Sequence, residues 1–314
     1  MLKTNQNPLL STKLISLDSH FDEMVTLYNA GSFPKVLLLN GKKGLGKFTL
    51  AFHFLNYVYS KNEKNSYNLL DKEIDSNSTF YNSILNQTNT DVIFLQADAG
   101  KNIKIDDIRH LKSVLGNSSL SNKPRFTIID EVEFLNLNSV NALLKTLEEP
   151  GDNNYFILIN NQQADLIETV SSRCLKNNIY LKHEQQNKVI KYLMESKKID
   201  IKINNSANLT PGLFFRYNDL FNEHNLNYDD DILSKLKKML YAFKKNKDKT
   251  LINMSLFFVD QFFYQLIREN NNKINMLLNL KLNINNKINE FIKYNLNINS
   301  VLNSIESKLT NANQ

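Results

Sequence analysis

VLLLNGKKGLGK, residues 36–47, joins a short apolar run to a glycine-rich turn. The apolar run, residues 36–40, is typical of a buried strand. From residue 47 to residue 59 apolar side chains recur at helical spacing, which indicates a helix directly after the turn. A strand, a glycine turn and a helix in this order favour an α/β domain.

The turn, GKKGLGK, fits the first seven positions of the phosphate-binding loop of P-loop proteins. Its glycines let backbone N–H groups turn toward phosphate oxygens, and the following helix adds its positive N-terminal end. Lys47 would add a full charge at the outer phosphates. The predicted cofactor-binding residues are Gly41, Gly44, Gly46, Lys47 and Thr49. The residues alone also allow a glycine turn that binds no ligand.

The residue after the loop lysine departs from this pattern. The pattern has Ser or Thr there, whose hydroxyl binds Mg²⁺, but this chain has Phe48, which has no oxygen. Thr49 lies one residue later, about 100° further round the helix. We therefore do not expect Thr49 to replace the missing ligand directly.

Strands and helices alternate through the first 180 residues. Apolar runs at 91–96, 125–130 and 155–160 predict three further buried strands. Residues 105–115 and 138–147 between them have the spacing of amphipathic helices. This alternation implies a parallel sheet with helices on both faces.

Residues 60–90 and the part of the chain after about residue 180 lack this alternation of strands and helices. The polar stretch 60–90 is predicted to be a surface insertion with some helix. No further strand of the same kind is predicted after about Tyr180. We expect a P-loop domain over 1–180, a small helical lid over 181–222 and an all-helical domain over 223–314. Its predicted helices cover residues 232–243, 251–268, 274–294 and 301–309.

The stretch IIDE, residues 128–131, is a second candidate site. An acidic pair at the end of a buried strand is where a P-loop protein holds Mg²⁺ and polarises water. Asp130 would hold the metal and Glu131 would act on the water. Many strands end in acids, so the pair by itself leaves this role open.

Two further stretches of sequence are more diagnostic of a particular protein family than the acidic pair. NALLKTLEEP occupies residues 141–150, and SSRC follows at 171–174 after an apolar strand. Together they resemble the clamp-loader branch of the AAA+ family. The resemblance implies a AAA+ P-loop domain with a parallel sheet, a helical lid, and an all-α collar domain at the C-terminus that takes part in oligomerisation.

The resemblance also implies a role for Arg173. In the family, the arginine of the SRC triplet projects into the ATP site of the neighbouring subunit. A guanidinium there stabilises the negative charge that develops in phosphoryl transfer. Arg173 is the matching residue. The alternative from the residues alone is an ordinary surface arginine beside a core cysteine, Cys174.

Departures from the family pattern bear on which subunit this is. Motor subunits (gamma or tau) have the hydroxyl after the loop lysine and a cysteine-rich zinc module after the first helix. Residues 60–90 contain no cysteine, so no zinc site is predicted. The lid arginine expected three residues after Gly212 is replaced by Phe215, and Arg216 lies one place late.

These departures favour a non-motor subunit that resembles delta-prime, with little or no ATPase activity of its own. Many delta-prime chains also carry the zinc module, so the chain differs from both patterns. The alternative is an active AAA+ ATPase, either a motor subunit or another P-loop enzyme. That alternative needs a hydroxyl at position 48.

The resemblance implies gamma or tau and delta as partners, with the sliding clamp, and primer–template DNA reached through the complex. The retained acids leave ATP or ADP and Mg²⁺ open as cofactors. A net charge of +6 permits contact with nucleic acid, but the lysine run at 235–247 is most simply a solvated helix face. One cysteine, no signal-peptide pattern and no apolar run of about 20 residues suit a cytoplasmic protein without a membrane segment.

Overall fold

The computed structural model describes residues 7–96, 103–116, 123–197, 199, 201, 203, 209–269 and 273–312. The chain divides into two compact units. The first comprises Met1–Asp200 and Asn208–Arg216, and the second comprises Ile201–Ala207 and Tyr217–Gln314. The finer division into three domains stays a prediction. Residues 198, 200, 202 and 204–208 of the predicted lid lie outside the described residues.

The first unit contains a parallel sheet. Its described strands are β1 (Val36–Asn40), β2 (Val92–Gln96), β3 (Arg125–Asp130), β4 (Asn154–Asn160) and β5 (Leu175–Asn178). Their order across the sheet is β2-β3-β4-β1-β5, and every neighbouring pair is parallel. The strand that leads into the glycine turn therefore lies between β4 and β5.

Helices cover both faces of this sheet. They are α1 (Asp18–Asn29), α2 (Lys47–Ser60), α3 (Thr79–Leu85), α4 (Ile105–Gly116), α5 (Leu137–Glu148), α6 (Glu168–Ser171) and α7 (His183–Lys197). A further helix, α8 (Pro211–Glu223), begins in the first unit and continues into the second. Because side chains alternate along a strand, Leu37 and Leu39 pack with α1 and α2, whereas Val36 and Leu38 pack with α4 and α5. The predicted α/β class with a parallel sheet is confirmed.

Strand β5 is not predicted by the sequence analysis. Its residues, LKNN, lack the apolar run that marks the other strands, and the side chain of Leu175 is exposed. The strand lies at the edge of the sheet and pairs with β1. An edge strand is less enclosed than a central one, so polar residues are tolerated there.

The prediction of a surface insertion at 60–90 is only partly right. Helix α3 supplies the expected helix, but several aromatic and aliphatic side chains of the stretch are buried in the core. The ring of Phe80 stacks on Tyr59 of α2 at 4.6 Å, and that of Tyr67 stacks on Phe21 of α1 at 5.1 Å. The buried side chains are few and lie within a long polar stretch, so the composition of residues 60–90 hides their contribution to the core.

Among its described residues, the second unit contains helices and no strand. It contains the end of α8 together with α9 (Ile232–Asn246), α10 (Lys249–Glu269), α11 (Ile274–Tyr294) and α12 (Ile298–Ala312). Consecutive helices from α9 to α12 pack on one another, and α12 packs on α9. The all-helical character predicted for this part is confirmed. In the described part of the chain, no helix is both long enough and apolar enough to cross a membrane.

Candidate functional site

The glycine turn has the backbone of a phosphate-binding loop. Gly44 and Gly46 have φ angles of +84° and +86°, in the left-handed region that glycine reaches without steric cost. Gly46 is the residue that precedes α2, and Lys47 is the first residue of that helix. Strand, left-handed loop and helix N-terminus thus stand in the order that the sequence predicts.

Lys47 lies inside its own loop. Its Nζ donates hydrogen bonds to the backbone oxygens of Gly41 at 2.6 Å and Lys42 at 2.8 Å. Burial lowers the pKa of Lys47 to about 8, although the charges of Asp130 and Glu133 act in the opposite direction. The ammonium group therefore has loop carbonyls as partners in this structure.

An aromatic ring occupies the position of the missing Mg²⁺ ligand. Phe48 is half-buried, and its ring lies 5.6 Å from that of Phe94 on β2. Thr49 is also half-buried. The left-handed loop and Lys47 fit a phosphate group, but the loop lacks the hydroxyl ligand for Mg²⁺. The residues present therefore fit a nucleotide in part.

The structure brings the acidic pair of β3 to this loop. The carboxylate of Glu131 forms an ion pair with Lys43 of the loop at 2.7 Å. Asp130 is buried, and its Oδ1 accepts hydrogen bonds from the backbone N–H of Glu131 at 2.8 Å and from Asn161 Nδ2 at 3.1 Å. Burial, assisted by the charge of Glu131, raises the pKa of Asp130 to about 6.

A row of asparagines at the ends of three strands is not predicted by the sequence analysis. Asn160 Nδ2 donates to Asn40 Oδ1 at 2.9 Å, and Asn40 Nδ2 donates to Asn178 Oδ1 at 2.7 Å. Asn40 and Asn160 also border a polar cleft of about 390 Å³. The available signal was the polar residue that closes each of the apolar runs VLLLN and YFILIN.

The first turn of α8 contacts the loop. Thr210 Oγ1 donates to the backbone oxygen of Lys43 at 2.6 Å, and the N–H of Gly212 donates to that of Gly44 at 2.8 Å. Phe215, which replaces the expected lid arginine, is buried, and its ring lies 5.4 Å from that of Phe214. The lid position at which an arginine was expected therefore holds an apolar side chain without a charge.

Arg173 lies between α6 and β5. Its Nε donates to Glu148 Oε1 at 2.7 Å, its Nη2 pairs with the same oxygen, and its Nη1 donates to the backbone oxygen of Thr169 at 2.8 Å. The neighbouring Cys174 thiol donates to the oxygen of Val170 at 3.0 Å. Burial raises the pKa of the Cys174 thiol to about 11, so the thiolate is disfavoured.

The structure does not bring Arg173 to its own glycine loop. Leu175, at the start of β5, pairs with Leu37 near the start of β1. The loop begins at Gly41, after the far end of β1. At about 3.3 Å per residue, four residues of parallel strand place the levels of Leu175 and Gly41 about 13 Å apart along the sheet. Arg173 precedes β5 and therefore lies at the end of the sheet opposite the glycine loop.

Comparison with known protein families connects these features. The family model described as "DNA polymerase III, delta subunit" matches residues 18–197, which is more than half of the 314 residues. The chain belongs to this family. The part that matches the delta subunit family contains the whole parallel sheet, the glycine loop and Arg173.

Curated relatives of this chain include subunits of DNA polymerase III. The gamma subunit of DNA polymerase III from Buchnera aphidicola subsp. Acyrthosiphon pisum is 29% identical over 175 residues, which cover 54% of this chain and 45% of that protein. The delta' subunit from Buchnera aphidicola subsp. Baizongia pistaciae is 33% identical over 86 residues, which cover 27% of this chain and 26% of that protein. The chain spans less than half of the length of these two relatives.

The solved structures that this chain resembles have lower sequence identity to it than the curated relatives. A protein from Thermotoga maritima related to the gamma subunit of DNA polymerase III has a TM-score of 0.48 at 18% identity, covering 90% of this chain and 97% of that one. The Holliday junction branch migration motor RuvB of Thermotoga maritima has a TM-score of 0.43 at 16% identity, covering 76% of this chain and 81% of that one. The fold class of this delta subunit family member follows from its own sheet and helices.

Proposed function

We propose that this chain is a non-motor subunit of the sliding-clamp loader of DNA polymerase III, of the delta-prime type. In this proposal it donates Arg173 in trans to the ATP site of a neighbouring subunit during clamp loading in DNA replication. Its partners are the gamma or tau and delta subunits and the sliding clamp, and it reaches primer–template DNA through the complex. Membership of the delta subunit family supports this assignment.

The observation that carries the proposal is the position of Arg173 at the end of the sheet opposite the glycine loop. The pairing of Leu175 with Leu37 sets this position. A guanidinium there cannot contact a phosphate held by its own loop. The Arg173 side chain is 31% exposed, so a neighbouring subunit has access to it. A cation presented to the terminal phosphate of a bound ATP accelerates its transfer.

The state of the glycine loop supports a non-motor role. No hydroxyl follows Lys47, and the phenyl ring of Phe48 packs on Phe94. Glu131, the candidate residue for polarising water, is paired with Lys43. We propose that ATP or ADP binds weakly at this loop and is not hydrolysed there, with Asp130 the remaining candidate ligand for Mg²⁺.

The helical parts of the chain complete the proposal. We propose that residues 181–222 act as a lid and that residues 223–314 form a collar through which the subunit joins a ring. The continuous helical packing from α9 to α12 supports a separately folded oligomerisation domain.

The test is to reconstitute the clamp loader with Arg173→Ala and to measure DNA-stimulated ATP turnover together with the melting temperature. Turnover should fall, while the melting temperature should stay unchanged because a part-exposed ion pair adds little stability. Arginine fingers are worth roughly three to five powers of ten at a single site, so the whole-complex effect is smaller when several sites are active. Arg109→Ala, at an exposed arginine of α4, is the matched control. Unchanged turnover with a lowered melting temperature would leave Arg173 only a structural role.

A further inference from the structure

Glu148 holds one edge of the Arg173 guanidinium. Both Nε and Nη2 donate to Glu148 Oε1, while Nη1 donates to the backbone oxygen of Thr169. Contacts on two sides fix the plane of the planar group as well as its position. Nη1 also donates to Ser172 Oγ at 3.4 Å. Of the five N–H donors of the guanidinium, one on Nη2 therefore remains after these contacts are made.

Helix stability does not explain a glutamate at this position. Glu148 is the last residue of α5, and Glu149 follows it directly. Negative charges are disfavoured at the C-terminal end of a helix, where the helix dipole is itself negative. Side-chain exposures of 31% for Arg173 and 47% for Glu148 also make the ion pair a weak contributor to folding.

We propose that Glu148 is a positioning residue for Arg173. This inference rests on the proposed function, in which Arg173 acts on ATP bound by a neighbouring subunit. Glu148 orders the guanidinium before the neighbour docks, so that its remaining N–H donor is already held in one position. Ordering in advance lowers the conformational cost of presenting the charge, and small errors in the placement of a reacting group cost much of its effect.

The experiment uses the reconstituted clamp loader with its sliding clamp and primed DNA. The variants are Glu148→Ala, Glu148→Gln, Glu149→Ala, Arg173→Ala and the double variant of Glu148→Ala with Arg173→Ala. Glu149 is the matched control because it is the adjacent exposed glutamate and, among the described residues, its carboxylate has no ion-pair or hydrogen-bond partner. The kcat and KM for ATP and the melting temperature are measured for each.

We expect Glu148→Ala to lower kcat by up to about a hundredfold at the affected site, which is the cost of misplacing a reacting group by about 1 Å. The KM for ATP should not change, because the interaction acts on the transition state. Glu148→Gln keeps an acceptor oxygen and should give an intermediate kcat. Glu149→Ala should match the unaltered complex. The double variant should equal Arg173→Ala, since Glu148 acts only through that arginine.

Two kinetic outcomes overturn the positioning role and leave the proposed function in place. One is a lowered kcat for Arg173→Ala with Glu148→Ala equal to Glu149→Ala. The other is a raised kcat for Glu148→Ala, which would make Glu148 a restraint. A fall in the melting temperature of Glu148→Ala alone among the glutamate variants would make its role structural. No effect of Arg173→Ala would instead remove the proposed function, and the inference with it.

Discussion

The backbone N–H of Gly212 donates a hydrogen bond to the backbone oxygen of Gly44 at 2.8 Å. The contact joins the first turn of α8 to the apex of the glycine loop, and the two backbones meet without intervening side chains. A Cβ on Gly212 would lie 2.7 Å from Cα of Gly44. The hydrogen bond between Gly212 and Gly44 and the one from Thr210 to Lys43 together hold this turn against the loop.

Gly44→Ala should destabilise the protein. A Cβ there would lie 2.5 Å from Thr210 Oγ1, and the φ angle of +84° is unfavourable for alanine. We expect a loss of about 1–3 kcal/mol in the free energy of unfolding, measured by urea denaturation. Gly116→Ala is the control, because a methyl group there meets nothing within 4 Å. A Gly44→Ala protein as stable as the control would contradict the close contact.

The isolated protein should hydrolyse ATP far more slowly than about one turnover per second, the low end of typical enzymes. The reason is that Phe48 provides no oxygen for Mg²⁺ and Phe215 provides no charge. Phe48→Ser should strengthen Mg²⁺-dependent nucleotide binding, measured by calorimetry, without restoring full turnover. Phe48→Leu, which keeps an apolar side chain and adds no hydroxyl, is the control. A steady-state rate of about one per second or more for the unaltered protein would reverse the non-motor assignment.

His53 should make stability depend on pH. Its Nε2 lies 2.8 Å from the oxygen of Ser11, which can only accept, so Nε2 carries the proton and Nδ1 accepts from the Tyr67 hydroxyl at 2.9 Å. Burial lowers the pKa of His53 to about 4. Below the unfolded-state pKa of about 6.5, the unfolded chain binds a proton at this histidine and the folded chain does not. The contribution of neutral His53 to the free energy of unfolding is therefore complete above about pH 6.5 and is lost as the pH falls toward 4.

The loss amounts to about 3 kcal/mol at most, since each pKa unit corresponds to about 1.4 kcal/mol. Urea denaturation at several pH values should show a smaller decline between pH 6.5 and 4 for His53→Gln than for the unaltered protein. Asp130 acts in the opposite direction over the same range, because its pKa is raised, so the difference between the two proteins isolates His53. His110→Gln, at an exposed histidine, is the control. Equal slopes for all three would contradict a neutral buried His53.

Phe80→Ala should cost about 3–5 kcal/mol of stability, as deletion of a buried phenyl ring typically does. Phe80 is 5% exposed and stacks on Tyr59, although it belongs to the polar stretch 60–90. Leu70→Ala is the control from the same stretch, since Leu70 is 95% exposed, and it should change stability by less than about 0.5 kcal/mol. Thermal or urea unfolding measures both. Similar small losses would mean that the stretch does not anchor the core.

Much of the site could be predicted from the sequence because its signals are local. The run VLLLN, the glycines after it and Lys47 are contiguous, so strand, turn and helix follow from short-range rules. The absence of a hydroxyl at position 48 is likewise visible without a structure. Strand β5 could not be predicted, because LKNN forms a strand only by pairing with β1.

The sequence by itself determined the strands and helices that carry apolar patterns, the loop with its missing hydroxyl, and the presence of Arg173 beside Cys174. Only the tertiary structure decided that Arg173 lies at the far end of the sheet from Gly41, that Glu148 contacts its guanidinium, and that Gly212 meets Gly44. The physical reason is separation along the chain. Arg173 and Glu148 are 25 residues apart, and Thr210 and Lys43 are 167 apart, so these contacts exist only once the sheet has fixed the distances between its ends.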